Sequence, residues 1–309
     1  MAAQLAPSPT LATTYKVREA EGVLDLYFYR KLGFQLAKFF AKLGMSPVGV
    51  TLLGGVFGIV AGHLYFYQNL ATNIVGMALH VFANLLDNAD GQLARLTNRQ
   101  SREGRIIDSL VDHLIFTSIY LHLTLRCLSE GASPLFWLVA IAAALSHGFQ
   151  GGAADYYRNA YLYFVKGRSR GDFDSSAALQ SDYSALTWRE RAWQKFLLAT
   201  YLNFTRQQEM MSPALRKFRE TVDRTFHGQV PDWFAARYRD AARPAFKFWS
   251  LLMTNSRMLL LFAVLFVDRP AWFFWVEITI FNLLLFGLLS WQERMCRSLL
   301  QLVKPATQP

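Results

Sequence analysis

Apolar residues concentrate in six runs, at about 47–67, 71–94, 105–127, 133–155, 246–267 and 271–292, separated by polar stretches. A helix needs roughly 20 mostly apolar residues to cross a bilayer, so the pattern predicts six transmembrane helices, the fourth continuing as a helix to 165. Before them, residues 22–43 place Leu26, Phe28, Leu32, Leu36, Phe39 and Phe40 at helical spacing, with Arg30, Lys31, Lys38 and Lys42 nearer the rim. That rhythm predicts an amphipathic helix in the membrane interface; the alternative is a seventh span, against which four basic residues count. Ser46 and Pro47 read as the cap and first turn of the first span. The expected class is all-α: a polytopic membrane protein with a juxtamembrane helix at 22–45, spans one to four within 46–165 and spans five and six within 244–300.

The remaining segments are polar. Residues 1–21 read as a disordered tail without the charged start and apolar core of a signal peptide, and 301–309 as a short C-terminal tail. Residues 166–243 are rich in Arg and carry Trp188, Trp193, Tyr201, Phe218, Trp233 and Tyr238. Helical periodicity over 187–209 and 212–226, with a break at His227, Gly228 and Pro231, predicts a small helical cytoplasmic insertion. It could serve as a lid on the membrane face, a lipid contact, an acceptor selector or a dimer contact.

Composition agrees with a membrane class: 53% of residues are hydrophobic and only 17% charged. The net charge of +10 would by itself admit nucleic acid as a partner, but its placement argues for topology. The connections after the first and third spans (QNLA, LSEGA) lack Lys and Arg, and Arg126 and Arg269 alone lie near that side. The positive-inside rule therefore puts both termini, the loop between spans two and three, and the insertion in the cytoplasm, with basic residues meeting anionic lipid. In a bacterium this would be the plasma (inner) membrane. Cys127 and Cys296 offer neither a disulfide framework nor zinc spacing, and the six histidines include no HExxH pair.

Candidate chemistry lies at the junction of spans two and three, in DNADGQLARLTNRQSREGRIIDSLVD. Asp87, Asp90, Gly91, Ala94 and Arg95 recur at three- and four-residue spacing, so on a helix they share a face. Gly104, Asp108 and Asp112 do the same on a second helix, and the polar residues 96–103 can turn the chain between them. Carboxylates suit a hard divalent cation, Gly and Ala leave room beside the backbone, and an Arg fork suits phosphate. Four acids beside apolar runs are costly unless something binds them. One or two metal ions flanked by an Arg suit displacement at phosphorus.

The stretch fits D-x2-D-G-x2-A-R-x8-G-x3-D-x3-D at all eight fixed positions, and so resembles the CDP-alcohol phosphotransferase family. The resemblance is sharp over 87–112, looser over 46–165 and 245–300, and does not cover 166–243. It implies two Mg2+ ions, for which Mn2+ can substitute, held by Asp87, Asp90, Asp108 and Asp112. It implies that Gly91, Ala94, Arg95 and Gly104, with Asp87 and Asp108, contact the cytidine diphosphate of the donor. Asp112 matches the family's general base, which takes the proton of the acceptor hydroxyl as CMP leaves. A homodimer is also implied.

Two further arginines stand out. Arg158 lies at the cytoplasmic end of the fourth helix, and Arg257 sits inside the fifth, where a charge is expensive and usually functional. With Asn159 and Asn255 they form a candidate pocket for the phosphate of an acceptor; alternatively Arg257 pairs with a motif acid or reaches toward the interface. The expected activity is transfer of a substituted phosphate from a CDP-linked lipid such as CDP-diacylglycerol to a polar alcohol. The motif serves equally a CDP-ethanolamine or CDP-choline donor with a diacylglycerol-like acceptor. An ion or metal transporter remains a separate class, although no second copy of the acid pattern exists to suggest the repeats common in transporters.

Overall fold

The computed structural model describes residues 24–167, 173–227 and 229–303. The expected N-terminal tail at 1–21, residues 304–309 and Gly228 lie outside them. Regular structure among the described residues is entirely helical, in agreement with the all-α expectation. The chain divides into two compact units, one ending at Glu130 and the other beginning at Gly131.

In the first unit α2 (Pro47–Leu64) is the element on which the two motif helices pack. Its start is fixed as expected: Ser46 Oγ accepts from Gly49 N at 3.1 Å and Pro47 occupies the first turn. One side of α2 is glycine, and two neighbours use it. A Cβ on Gly54 would lie 3.3 Å from Leu86 Cβ on α3 (Leu70–Leu96). On Gly55 it would meet Val111 Cγ1 at 2.7 Å, and on Gly58 Ile115 Cδ1 at 2.6 Å, both on α4 (Arg102–Ser129). The backbones approach because no side chain intervenes, as between membrane helices generally.

The turn from α3 to α4 is tight. Asn98 takes a left-handed conformation (φ 52°), which Asn tolerates better than most residues. Arg99 N then donates to Ala94 O at 2.9 Å, and Ser101 Oγ caps α4 by accepting from Gly104 N at 3.0 Å. At the opposite end of the unit, buried Arg126 donates to the carbonyls of Tyr65 and Tyr67, at 3.3 and 3.1 Å, and pairs with Glu130 at 2.8 Å. Arg126 thus closes the carbonyl end of α2 rather than projecting into the interface.

The juxtamembrane helix α1 (Arg30–Lys42), entered through a π-turn at Asp25–Tyr29, lies against the motif helix α3. Its buried face is Gly33, Phe34, Ala37 and Phe40, whereas Phe28, Leu32 and Phe39 of the expected stripe are exposed. Small residues decide the rotation: a Cβ on Gly33 would sit 3.0 Å from Gln92 Nε2, and Gln92 donates to Arg30 O at 3.2 Å. Phe40, Val50, Leu86 and Leu93 share the resulting core.

The second unit contains α5 (Phe136–Lys166), α6 (Ser176–Ala185), α7 (Trp188–Met211), α8 (Pro213–Phe226), α9 (Asp232–Ala242), α10 (Phe246–Leu251), α11 (Thr254–Phe266), α12 (Ala271–Val276), a π-segment at Glu277–Phe281 and α13 (Asn282–Val303). The insertion does not stand apart from the apolar helices. Phe164 of α5 meets Phe218 of α8 (ring centroids 4.9 Å apart) and Tyr238 of α9 (4.7 Å), and Tyr157 Oη donates to Ala242 O at 2.7 Å. A buried ion pair, Arg219 to Glu209 at 3.0 Å, ties α8 to α7. Arg219 also holds the carbonyl of Asp174 at 2.9 Å.

Five stretches among the described residues are long and apolar enough to cross a membrane: Pro47–Leu64, Leu70–Leu96, Arg102–Ser129, Asp232–Phe266 and Ala271–Val303. They mark the chain as an integral membrane protein. The expected fourth span is present as the helix α5 but is not among the five, since Ser146, His147 and Gln150 interrupt its apolar character. The expected fifth span is broken at Leu252–Met253, between α10 and α11.

The glycine face of α2 gives a direct test. Gly58→Leu should lower stability by about 1–3 kcal/mol through overpacking against Ile115, read as a fall in melting temperature in detergent. Gly287→Ala on α13, where an added Cβ meets nothing within 4 Å, should leave it unchanged or raised. Equal behaviour of the two variants would refute the close-packing account.

Candidate functional site

The four motif acids project from α3 and α4 toward the wall formed by α2. Carboxylate oxygens of Asp87, Asp90 and Asp108 lie within 4.8 Å of one another. Asp112, one turn beyond Asp108, lines the same small cavity with Thr51, Gly54, Gly55, Ala83, Val111 and Ile115. The cavity measures ≈ 10 Å³, about the space of one water, which suits ions and excludes anything the size of a nucleotide. Because α3 and α4 each pack chiefly on α2, the acids converge at a gap between the two motif helices.

Asp90 is the most deeply set of the three clustered acids, and Asp87 is exposed at the rim. Thr51 Oγ1 donates to Asp90 Oδ2 at 2.5 Å and also lies 3.1 Å from Pro47 O. This contact fixes the orientation of the carboxylate. Sequence reasoning confined the site to α3 and α4 and missed Thr51. The signal was present in α2: Thr51, Gly54, Gly55, Gly58 and Gly62 recur at helical spacing and form its small-residue face.

The remaining motif positions surround this cluster in sequence and on the same helices. The guanidinium of Arg95 folds back over Gly91, with Nη2 and Nη1 3.5 and 3.7 Å from the place a Gly91 Cβ would occupy. Ala94 and Gly104 are half-buried, Gly104 in the first turn of α4. An acid cluster, a planar cation one turn on and small residues between them can hold divalent cations beside a phosphate-bearing ligand.

The second candidate set lies wholly in the second unit, where each arginine has its own partner. Arg158 Nη2 pairs with Asp155 Oδ1 at 2.8 Å, and Asn159 Nδ2 donates to Asp155 Oδ2 at 3.0 Å. Arg158 is about one-third exposed, and its Nε is buried without a hydrogen-bond partner. Arg257 is fully engaged below the surface. It pairs with Glu277 at 3.0 Å, donates to Gln150 Oε1 at 2.5 Å and donates to the carbonyl of Leu252 that the helix break releases. Gln150 continues the network to Asn282 at 2.9 Å, and Asn282 to Ser146 at 2.9 Å. Asn255 is half-buried in the first turn of α11. The partner of Arg257 is therefore Glu277, not a motif acid. The clue in the sequence was an acid in the last apolar run to match the lone Arg of the run before it.

Comparison with known proteins places these helices. Residues 45–153 match the family described as CDP-alcohol phosphatidyltransferase. An archaetidylinositol phosphate synthase of Pyrococcus horikoshii is 35% identical over 28% of this chain and 44% of its own length. A phosphatidylinositol phosphate synthase of Streptomyces avermitilis is 35% identical over 30% of this chain and 37% of its own. The first unit is thus a membrane-embedded helical assembly presenting a carboxylate cluster. Residues 45–153 are thus similar to the CDP-alcohol phosphatidyltransferase family over about a third of the chain. The matched stretch spans less than half of either relative.

Two outcomes check the geometry. Thr51→Val should weaken binding of Mn2+, followed by electron paramagnetic resonance of the purified protein, by about 10-fold or more, as loss of a ligand-orienting partner does. Arg257→Ala should destabilise by roughly 3–5 kcal/mol by stranding Glu277, and Arg257→Ala with Glu277→Ala should recover part of that loss. If the double variant loses the full sum, the two side chains are not coupled.

Proposed function

We propose that the protein is a metal-dependent transferase that moves a substituted phosphate from a CDP-linked lipid to the hydroxyl of a polar alcohol and releases CMP. The observation that carries this reading is the grouping of Asp87, Asp90 and Asp108, with Asp112 on the same cavity, inside a segment matching the family. The donor set is all oxygen and suits Mg2+, with Mn2+ as substitute. Two ions held by the four aspartates would neutralise charge on the pyrophosphate and on departing CMP.

The chain's own groups supply the rest. Asp112 takes the proton from the acceptor hydroxyl as that oxygen bonds to the phosphorus bearing the lipid. Arg95 holds a phosphate of the donor, and Gly91, Ala94 and Gly104, with Asp87 and Asp108, let its cytidine diphosphate lie close to the helices. Thr51 keeps Asp90 in position. For the acceptor, Arg158 and Asn159 are the favoured residues, because Arg158 retains exposure and an unmatched Nε. Asn255 and Arg257 contribute by shaping the surrounding helices, since Glu277 already balances the charge of Arg257.

Two relatives are named for making lipid-linked inositol phosphates, which favours a CDP-lipid donor and makes phosphorylated polyols the first acceptors to try. The distribution of Lys and Arg supports cytoplasmic termini, motif and insertion. A homodimer fits the family.

The decisive assay supplies purified protein and Mg2+ with CDP-diacylglycerol or CDP-ethanolamine and a panel of acceptors, and measures CMP. Acceptor-dependent CMP from the lipid donor is expected. Asp112→Asn should reduce it at least about 100-fold, while Arg158→Ala should raise the acceptor KM with little change in donor KM. CMP formed only from CDP-ethanolamine and a diacylglycerol would reverse the donor assignment. No CMP from either would refute the reading, and loss of ion flux in Asp112→Asn would favour transport.

A further inference from the structure

The first turns of α7 are unlike any other part of the insertion. Every residue from Thr187 to Gln194 is exposed, yet two are tryptophans: Trp188 is 52% and Trp193 58% exposed. Phe196, 44% exposed, stacks on Trp193 with ring centroids 5.8 Å apart and planes at 25°. Arg189, Arg191 and Lys195 alternate with these rings.

This tip is built, not frayed. Leu179, Leu198 and Leu202 form a small core beneath it, with Tyr183, Leu186 and Tyr201 packed around. Lys195 Nζ donates to Leu186 O at 2.6 Å and stands 4.5 Å over the Tyr183 ring. Thr187 Oγ1 donates to Glu190 at 3.2 Å. At the other end α7 is held to α5, where Gln208 Nε2 donates to Gly152 O at 3.0 Å. The tip, kinked by non-helical backbone at Arg191 (φ −137°, ψ 48°), therefore carries three large, half-exposed aromatic rings, with Lys195 Nζ 5.8 Å over that of Trp188.

We propose that this tip is a peripheral anchor for an anionic lipid surface, with Trp188, Trp193 and Phe196 seated at head-group level and Arg189 and Arg191 meeting lipid phosphates. Indole rings favour that level because one part is apolar and the N–H is polar. Alternating aromatic and basic residues are the signature of interfacial helices, and basic residues are drawn to anionic leaflets. The spans of the same chain also tether the tip near a bilayer, which raises its effective concentration there. The inference concerns the insertion alone and stands independently of the transferase reading.

Tryptophan emission of the full chain in nanodiscs of phosphatidylcholine and phosphatidylglycerol, with and without acyl-brominated lipid, tests it. The component lost in Trp193→Phe or Trp188→Phe should be blue-shifted and quenched at least twofold by brominated lipid, and less so without phosphatidylglycerol or in Arg189→Gln/Arg191→Gln. A nitroxide on Gln194→Cys gives a second reading, and should collide more with oxygen than with an aqueous nickel complex. A red-shifted component quenched by iodide and indifferent to brominated lipid would overturn the proposal. So would a component shielded from both that becomes accessible on dilution in detergent, which would assign the tip to a second copy of the chain.

Discussion

The close approach of α2 to α3 and α4 is the constraint on which the site depends. Helices in a bilayer gain little by burying apolar side chains from lipid, so contact must come from fit. Gly54, Gly55 and Gly58 provide it by leaving the surface of α2 bare, and Leu86, Val111 and Ile115 fill the space. The same face carries Thr51, which reaches Asp90 only because the backbones are close. Helix packing and carboxylate placement are thus one arrangement.

The two units handle buried charge differently. In the first, buried Arg126 has Glu130, but three acids share a small space with Arg95 a turn away, and a cation is their natural complement. In the second, each buried arginine has a protein acid: Arg219 has Glu209 and Arg257 has Glu277. Arg257 also satisfies the carbonyl freed where α10 ends, so the interruption of that span and the charge inside it stabilise one another. A lone Arg in an apolar run reads from sequence as a ligand site because its partner lies in another helix.

What the sequence disclosed was local. Three- and four-residue spacing put Asp87 and Asp90 on one face and Asp108 and Asp112 on another, and Ser46 with Pro47 marked where α2 begins. What it hid was rotation and partnership. The apolar stripe of α1 could not reveal that Gly33 and Ala37, rather than Leu32 and Phe39, would face the motif helix, because close approach favours small residues over greasy ones. Nor could composition separate the insertion's aromatics, since Phe218 and Tyr238 interlock with α5 while Trp188 and Trp193 face outward.

The short turn through Asn98 bears on how the site comes into being. All four acids fall between positions 87 and 112, and the connection between their helices is only residues 97–101. Bringing them together closes a short loop, for which the entropy lost is small, and contacts near in sequence form fast. Thr51 and the glycines of α2 precede them in the chain. During synthesis every residue lining the carboxylate cavity emerges before residue 116, ahead of the whole insertion. Lengthening or reshaping residues 166–243 over evolutionary time therefore leaves the order of assembly at the acids untouched.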